Sequence, residues 1–474
     1  MTAGLLAGVA RVVITPPVGI HLTGFAGRPP STAVHDDLTA TALVLAEGGA
    51  GDAGEAQGAQ GAQGAAGDAR RRVALLALDL LGVQGESLVP AIKDRIHEVT
   101  GIPPERVFLN CSHTHYGPVL APAREGGEDA IAERYRSTLP DYLAGVVATA
   151  GEALRPVTLA AARGAVRVGI NRRERRPDGR IILGQNPEGT LDSEVLVWRF
   201  DAADGPEVEP GAPLGWPRRA GEPVAVVVNY ACHGVSLGSR VRQVSADFPG
   251  VTRDVVEQLV GGKALYLQGA AGNINPALMG SDWDHPRRLG HALGAEAVKA
   301  ALTAQPVSAV PLRVARETLE LPALIPESVE AGRERVALLE AEQARLEQRG
   351  SDAGAGARWW AAQRLERARQ GLAALETGQP LPPVTGEVAA LRLGEAAVVT
   401  CPGELFCEIG MAIKQASPFP WTAMAAYTDG TVGYLPTRAA YPEGGYEVDS
   451  ACRVNPEAGE MVEAAGLRLL RSLS

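Results

Sequence analysis

Six short apolar runs, at residues 73–80, 107–109, 224–228, 264–267, 396–400 and 422–426, constrain this chain more than anything else in it. Runs of this length, rich in Val, Leu and Ala and without polar alternation, read as strands buried on both faces. Helix-like stretches stand between several of them, for example at 87–99 and 250–260. Strands alternating with helices predict an α/β fold, a mixed, largely parallel sheet flanked by helices. Nothing splits the pattern cleanly, so we expect a single domain over residues 1–474 that carries insertions.

Three insertions stand out. Residues 47–70 form a Gly/Ala/Gln tract with too little apolar surface to bury, and 201–222 are rich in Pro, Gly and charge; both read as loops. Residues 326–378 differ, being rich in Glu, Arg and Ala with leucines at 338, 339, 346, 365, 372 and 375. The polar stretch 350–354 in their middle makes this an inserted helical hairpin of two amphipathic helices. Such a hairpin either packs on its own domain, the commoner outcome, or offers a coiled-coil surface for a homo-oligomer.

Composition excludes several functions. A net charge of -10 without any long Lys/Arg run argues against nucleic acid or an anionic membrane as a partner. Arg172, Arg173, Arg175 and Arg176 form the one basic cluster, which Asp178-Gly179 marks as a turn for most of its members. No segment approaches eighteen apolar residues, so no integral membrane segment is expected. No signal peptide is evident, and five cysteines without a CxxC pair suit a reducing cytoplasm.

Four predicted strands run directly into chemistry-bearing residues. The 107–109 run leads to His113-Thr114-His115, the 224–228 run to His233, the 396–400 run to Glu404 and the 422–426 run to Tyr427. Ligand sites in α/β sheets form at the carboxyl ends of strands, so these four residues point toward one place. Residues two apart on an extended chain face the same way, and zinc favours imidazole nitrogen with carboxylate oxygen. His-x-His alone serves equally as a pair of satisfied surface or core histidines. A metallo-β-lactamase pattern fails, because Gly117 and Pro118 stand where Asp and His are needed. An amidohydrolase barrel is a poor fit, with only His233, His285 and His291 following.

Taken in order, the motifs resemble the catalytic N-terminal domain of the neutral/alkaline (non-lysosomal) ceramidases. The resemblance is carried by Arg11-Val12-Val13-Ile14-Thr15-Pro16, Gly24-Phe25-Ala26, Ser112-His113-Thr114-His115-Tyr116-Gly117-Pro118 and Asn171-Arg172. It continues through Cys232-His233-Gly234, Ser245-Ala246-Asp247-Phe248-Pro249-Gly250, residues 268–276, Pro402-Gly403-Glu404 and the stretch from Tyr434 to Tyr446. It implies a zinc ion held by His113, His233, Glu404 and Tyr434. Tyr427 and Tyr441 compete for the last place, and the spacing of Tyr434 to Tyr446 favours Tyr434 by resemblance. It further implies that His115, Tyr446 and Arg172 serve catalysis beside the metal. Asp36 and Asp37 read as a surface turn or as partners that orient a histidine. Cys111, Cys232 and Cys401 read as buried apolar residues or as thiolate ligands.

Two departures bear on the substrate. Asn275 stands where the family places a serine, and an amide side chain is no nucleophile, which favours metal-activated water. The family's further C-terminal β-rich domain has no counterpart after the Tyr446 segment, so a short form of the family is expected. The implied activity is zinc-dependent hydrolysis of a linear amide in a small acyl-amide substrate, ceramide-like or smaller. Alternatives are an esterase or lactonase using the same ion, and a homologue that binds without turnover. Gly234-Val235-Ser236-Leu237-Gly238 has the letters of a serine-hydrolase elbow, but follows a histidine loop rather than preceding a helix.

Overall fold

The computed structural model describes residues 4–48, 69–85, 87–120, 130–203, 221–349 and 355–474. The loops expected at 47–70 and 201–222 fall, except for their ends, outside the described residues. Strands β1 (Leu5–Val13), β2 (Thr39–Glu47) and β3 (Val73–Leu78) pair antiparallel in turn. Helix α1 (Leu88–Thr100) then carries the chain across to β4 (Val107–Cys111), which lies parallel to β3. After α2 (Ala130–Glu152) come β5 (Arg155–Ala165), a hairpin of β6 (Gly169–Arg175) and β7 (Ile181–Asn186), and β8 (Glu194–Ala202). β9 (Pro223–Tyr230) pairs antiparallel with β8, and α3 (Asp247–Leu259) returns the chain to β10 (Lys263–Gln268), parallel to β9.

The resulting sheet has the order β10-β9-β8-β5-β1-β2-β3-β4, with the short strand Gln305–Val307 added to β5. It is mixed and flanked by helices, as expected, but its parallel share is smaller than "largely parallel" implies. Only the two outermost pairs, β3–β4 and β9–β10, are parallel. A parallel pair needs a long crossover, normally a helix, and within this sheet only α1 and α3 supply one. The other neighbours pair antiparallel.

A short strand, β11 (Ile274–Pro276), pairs with β6, and α4 (Asp284–Thr303) follows it. A second sheet is built from β12 (Leu312–Leu321), β13 (Val384–Leu393) and β14 (Ala396–Thr400). Between β12 and β13 run α5 (Val329–Gln348) and α6 (Ala355–Thr377), the two helices of the expected hairpin. β15 (Glu404–Leu405) and α7 (Cys407–Ala416) lead to β16 (Trp421–Ala425), which lies parallel to β14 and completes this sheet. β17 (Tyr434–Leu435) pairs with β15, and α8 (Ala458–Leu473) ends the chain. Among the described residues no helix is long and apolar enough to cross a membrane.

Strand periodicity explains the layers. Leu43, Leu75, Phe108, Trp198, Phe200 and Leu265 of the first sheet meet Leu391, Val398 and Ala423 of the second in one apolar cluster. The alternate residues turn outward: Ala42, Leu76 and Leu109 pack with Ile92, Leu139 and Leu143 of α1 and α2. Val197, Val226 and Tyr266 pack with Val256, Leu293 and Ala297 of α3 and α4. Val399 and Met424 likewise share a cluster with Ile413, Val462 and Leu469 of α7 and α8. With both faces of each sheet covered, the strands need no polar face and read as continuous apolar runs. Each such side chain contributes roughly 1.5–3 kcal/mol of burial free energy.

The first sheet curls until its end strands β4 and β10 approach each other, and buried carboxamides close the gap. Gln268 N donates to Asn110 Oδ1 (2.9 Å), and Asn110 Nδ2 donates to Ala426 O (2.6 Å) beyond β16. Gln268 Nε2 donates both to Ser112 O (3.0 Å) and to Cys232 O (2.6 Å). One side chain thus ties together the carbonyls that immediately precede His113 and His233.

Candidate metal centre

His113 has a left-handed backbone, φ 60°, which a β-free side chain would adopt more readily than an imidazole-bearing one. The bend is held by Ser112 N donating to Leu78 O (2.8 Å) and His113 N to Leu80 O (2.9 Å). The His-x-His pair therefore sits on a bend rather than on an extended strand, yet the two Nε2 atoms still lie 3.3 Å apart. Two glycines let the site loops touch backbone to backbone. A Cβ at Gly234 would lie 2.9 Å from His113 O, and one at Gly272 would strike the carbonyl of Glu404.

His113 Nδ1 lies 2.7 Å from Leu81 O, and His233 Nδ1 lies 2.7 Å from Ala271 O. A carbonyl only accepts, so each Nδ1 carries the proton and each Nε2 presents a lone pair. Glu404 Oε2 lies 3.4 Å from His113 Nε2 and 3.2 Å from His233 Nε2. Three electron-rich atoms thus converge in a buried place, an arrangement that calls for a cation among them. A tetrahedral ion with bonds of about 2.0–2.1 Å sets its ligand atoms roughly 3.3 Å apart, so the observed spacings fit zinc. The nitrogens of His113, His115 and His233 also fall within 4.8 Å of one another, the one such cluster among the described residues.

Burial first, then the neighbouring His113, drives the His115 imidazole well below its ordinary value, so it is neutral near pH 7. Burial and Arg172 push His233 down to about 4. Burial acts to raise the Glu404 carboxyl, but positive charge on His113 and His233, when they are protonated, outweighs it and holds the carboxyl well below the usual range.

Arg172 lies at the centre of a second ring of contacts. Its Nη1 is 3.2 Å from His233 Nε2 and donates to Asn275 Oδ1 (3.2 Å), while Nη2 donates to the Tyr434 hydroxyl (2.8 Å). Tyr434 stands opposite Glu404 in the β15–β17 pair and joins the cluster through Arg172. Arg172 Nε is paired with Glu447 Oε1 (2.7 Å), and Arg173 Nη1 with Glu447 Oε2 (2.9 Å). The expected turn is confined to residues after Arg175, for Arg172 and Arg173 are buried in β6 against this carboxylate. Tyr446, 37% exposed where Tyr434 is 4% exposed, stands at the outer side with its ring 5.8 Å from that of Tyr434.

Glu447 is the site residue that sequence reasoning missed. It lies in a single π-type turn, Tyr446–Ser450, braced from outside by Arg335 of α5 on Asp449 O and by Arg367 of α6 on Ser450 O (3.1 Å). The hairpin thereby packs on the body behind the site. Nothing local separates Glu447 from the other 54 of the chain's 55 acidic residues; only its two arginine partners do.

The remaining candidates lie elsewhere. Asp36 accepts from Ser245 Oγ (2.6 Å) and Ala246 N (2.7 Å), and Asp37 from Thr15, so carbonyls rather than these carboxylates orient the histidines. Cys111, Cys232 and Cys401 lie in the apolar clusters, with thiols that burial pushes upward. Ser236 is fully buried and hydrogen-bonded through Oγ to Asp247.

The chain is thus an α/β/β/α sandwich with two histidines and a carboxylate following the carboxyl ends of its parallel strand pairs. The chain is similar to the crystal structure of neutral ceramidase from Pseudomonas aeruginosa, at 18% identity and a TM-score of 0.69, over 100% of this chain and 75% of that one. It is similar in the same way to a ceramidase complexed with C2, at 17% identity and a TM-score of 0.69, with 100% and 75% covered. No family model matches the sequence, and no curated protein does. The expected resemblance therefore holds at the level of the fold.

Proposed function

We propose that this chain is a zinc-dependent hydrolase of a linear amide, ceramide-like or smaller, that works with activated water. The observation that carries the reading is the meeting of His113 Nε2, His233 Nε2 and Glu404 Oε2 at 3.2–3.4 Å, buried and with both Nδ1 protons committed to carbonyls. Those three residues would hold the ion, with Tyr434 completing the set. Bound zinc supplies a Lewis acid that brings the pKa of a water toward neutrality and polarises a carbonyl.

The chain's own residues do the rest. Arg172, fixed by Glu447, and Tyr446 donate toward the oxygen on which negative charge develops. His115, kept neutral by burial, takes a proton from water and returns it to the leaving amine. Asn275 offers Oδ1 to Arg172 and no nucleophile, so no acyl-enzyme forms. Similarity of fold to ceramidases, whose name denotes cleavage of an N-acyl amide, supports an amide over other acyl groups.

The test is metal analysis of the purified chain together with a panel of N-acyl amides and matched esters. About one zinc per chain, with amide cleavage lost on chelation and restored by zinc, is the expected result; full cleavage without metal sinks the reading. A His115→Gln chain is expected to keep its zinc and lose about 100-fold or more in rate, within the usual range for acid–base catalysis. Loss of its zinc would place His115 among the ligands. Ser236→Ala should keep its rate, at about 1.5–3 kcal/mol of stability for a hydrogen bond to a charged group. An inactive but folded Ser236→Ala chain would revive the serine mechanism.

A further inference from the structure

Two site side chains carry a buried polar atom that no contact explains, His115 at Nδ1 and Tyr427 at its hydroxyl. Tyr427 is 4% exposed, and its hydroxyl is buried without a hydrogen-bond partner. Native proteins rarely leave a buried hydroxyl unmet, and one that is calls for an explanation, a catalytic role among them. The position is held on purpose: Tyr427 has a left-handed backbone, φ 55°, unfavourable for an aromatic residue. Cys111 N donates to its carbonyl (3.1 Å), and its own N–H donates to Gly403 O (3.3 Å). Those two bonds clamp it between the segments that carry His113 and Glu404. The ring lies 4.1 Å from the His113 ring and 6.1 Å from the His233 ring, centroid to centroid.

Tyr434 and Arg172 already satisfy each other, and His113 and His233 turn their Nδ1 atoms to carbonyls. Tyr427 packs its ring on the His113 ring with its hydroxyl proton uncommitted to any protein acceptor. We propose that the Tyr427 hydroxyl is a further catalytic residue, a neutral donor to the acyl oxygen of the substrate as that oxygen gains negative charge. This rests on the hydrolase reading above. Clamped at both backbone groups, the phenol needs no rearrangement as charge develops, which is what makes a preorganised donor effective.

A Tyr427→Phe chain tests it, since Phe keeps the ring against His113 and removes an atom with no protein partner. Expected are unchanged zinc content, an unfolding midpoint of the metal-free chain equal to or above the parent's, and kcat lower by about 100-fold with KM little changed. Calorimetry should show a tetrahedral acyl phosphonate binding more weakly by a similar factor. A Phe variant matching an active parent in kcat and phosphonate affinity overturns the inference alone. Loss of zinc also overturns it, by making Tyr427 a ligand, and a lowered midpoint by giving its hydroxyl a structural partner. A parent chain without zinc or hydrolysis overturns the hydrolase reading and this inference together.

Discussion

A His113→Ala chain is expected to bind no zinc at micromolar concentration and to show amide hydrolysis indistinguishable from background. Partners outside the ligand set are worth 10–100-fold in metal affinity, and deletion of a ligand exceeds that. The fold should survive, because the bend is held by backbone bonds to Leu78 and Leu80 rather than by the imidazole's contacts to Leu81 O, His115 and Glu404. Metal content by atomic spectroscopy, circular dichroism and turnover are the three measurements. A folded, metal-free variant that still hydrolyses at the parent rate would remove the metal from the mechanism.

Glu447→Ala is expected to destabilise the chain by about 3–5 kcal/mol, because it strands Arg172 and Arg173 as buried cations without their shared carboxylate. Arg173 keeps Glu443 at 3.2 Å, but Arg172 has no second carboxylate partner in its ring of contacts. The guanidinium should leave its place between His233, Asn275 and Tyr434, with a further loss of roughly 10–100-fold in rate, as for other residues that orient a metal site. Denaturant unfolding measures the first effect, and kcat in the residual folded population the second. Burial opposes ionisation of Glu447, but Arg172 and Arg173 hold its carboxyl below the ordinary 4.5. The sign follows: its contribution is complete above about pH 4.5 and is lost as pH falls through its lowered value. Parent and variant should therefore converge in stability toward low pH.

Much of the fold was legible in local sequence because strands buried on both faces carry no polar alternation. The runs at 396–400 and 264–267 match β14 and the core of β10 for that reason. The helices at 88–100 and 247–259 stand where crossovers were expected. The parallel share was overestimated because alternation of strand and helix says nothing about the strands joined without helices. β1, β2 and β3 follow one another through loops, and such connections favour antiparallel pairs.

The site divides along the same line. His113, His233 and Glu404 were visible one by one, since each follows its strand directly, and strand ends are where α/β folds place ligands. That they point toward one place was expected from the same rule. The geometry of their meeting was not legible, because it depends on a sheet that curls until strands from its two ends approach, locked by Gln268 between Ser112 and Cys232. Glu447 was invisible as a functional residue for a related reason, and Tyr427, visible at its strand end, showed only its place and not its role. A carboxylate gains meaning from arginines 275 and 274 positions away, and a phenol from the absence of any partner around it. By itself, then, the sequence determined which residues end the strands and which chemistry they bear. Tertiary packing decided which of them share a buried space, because burial and pairing are properties of long-range contacts that no local pattern encodes.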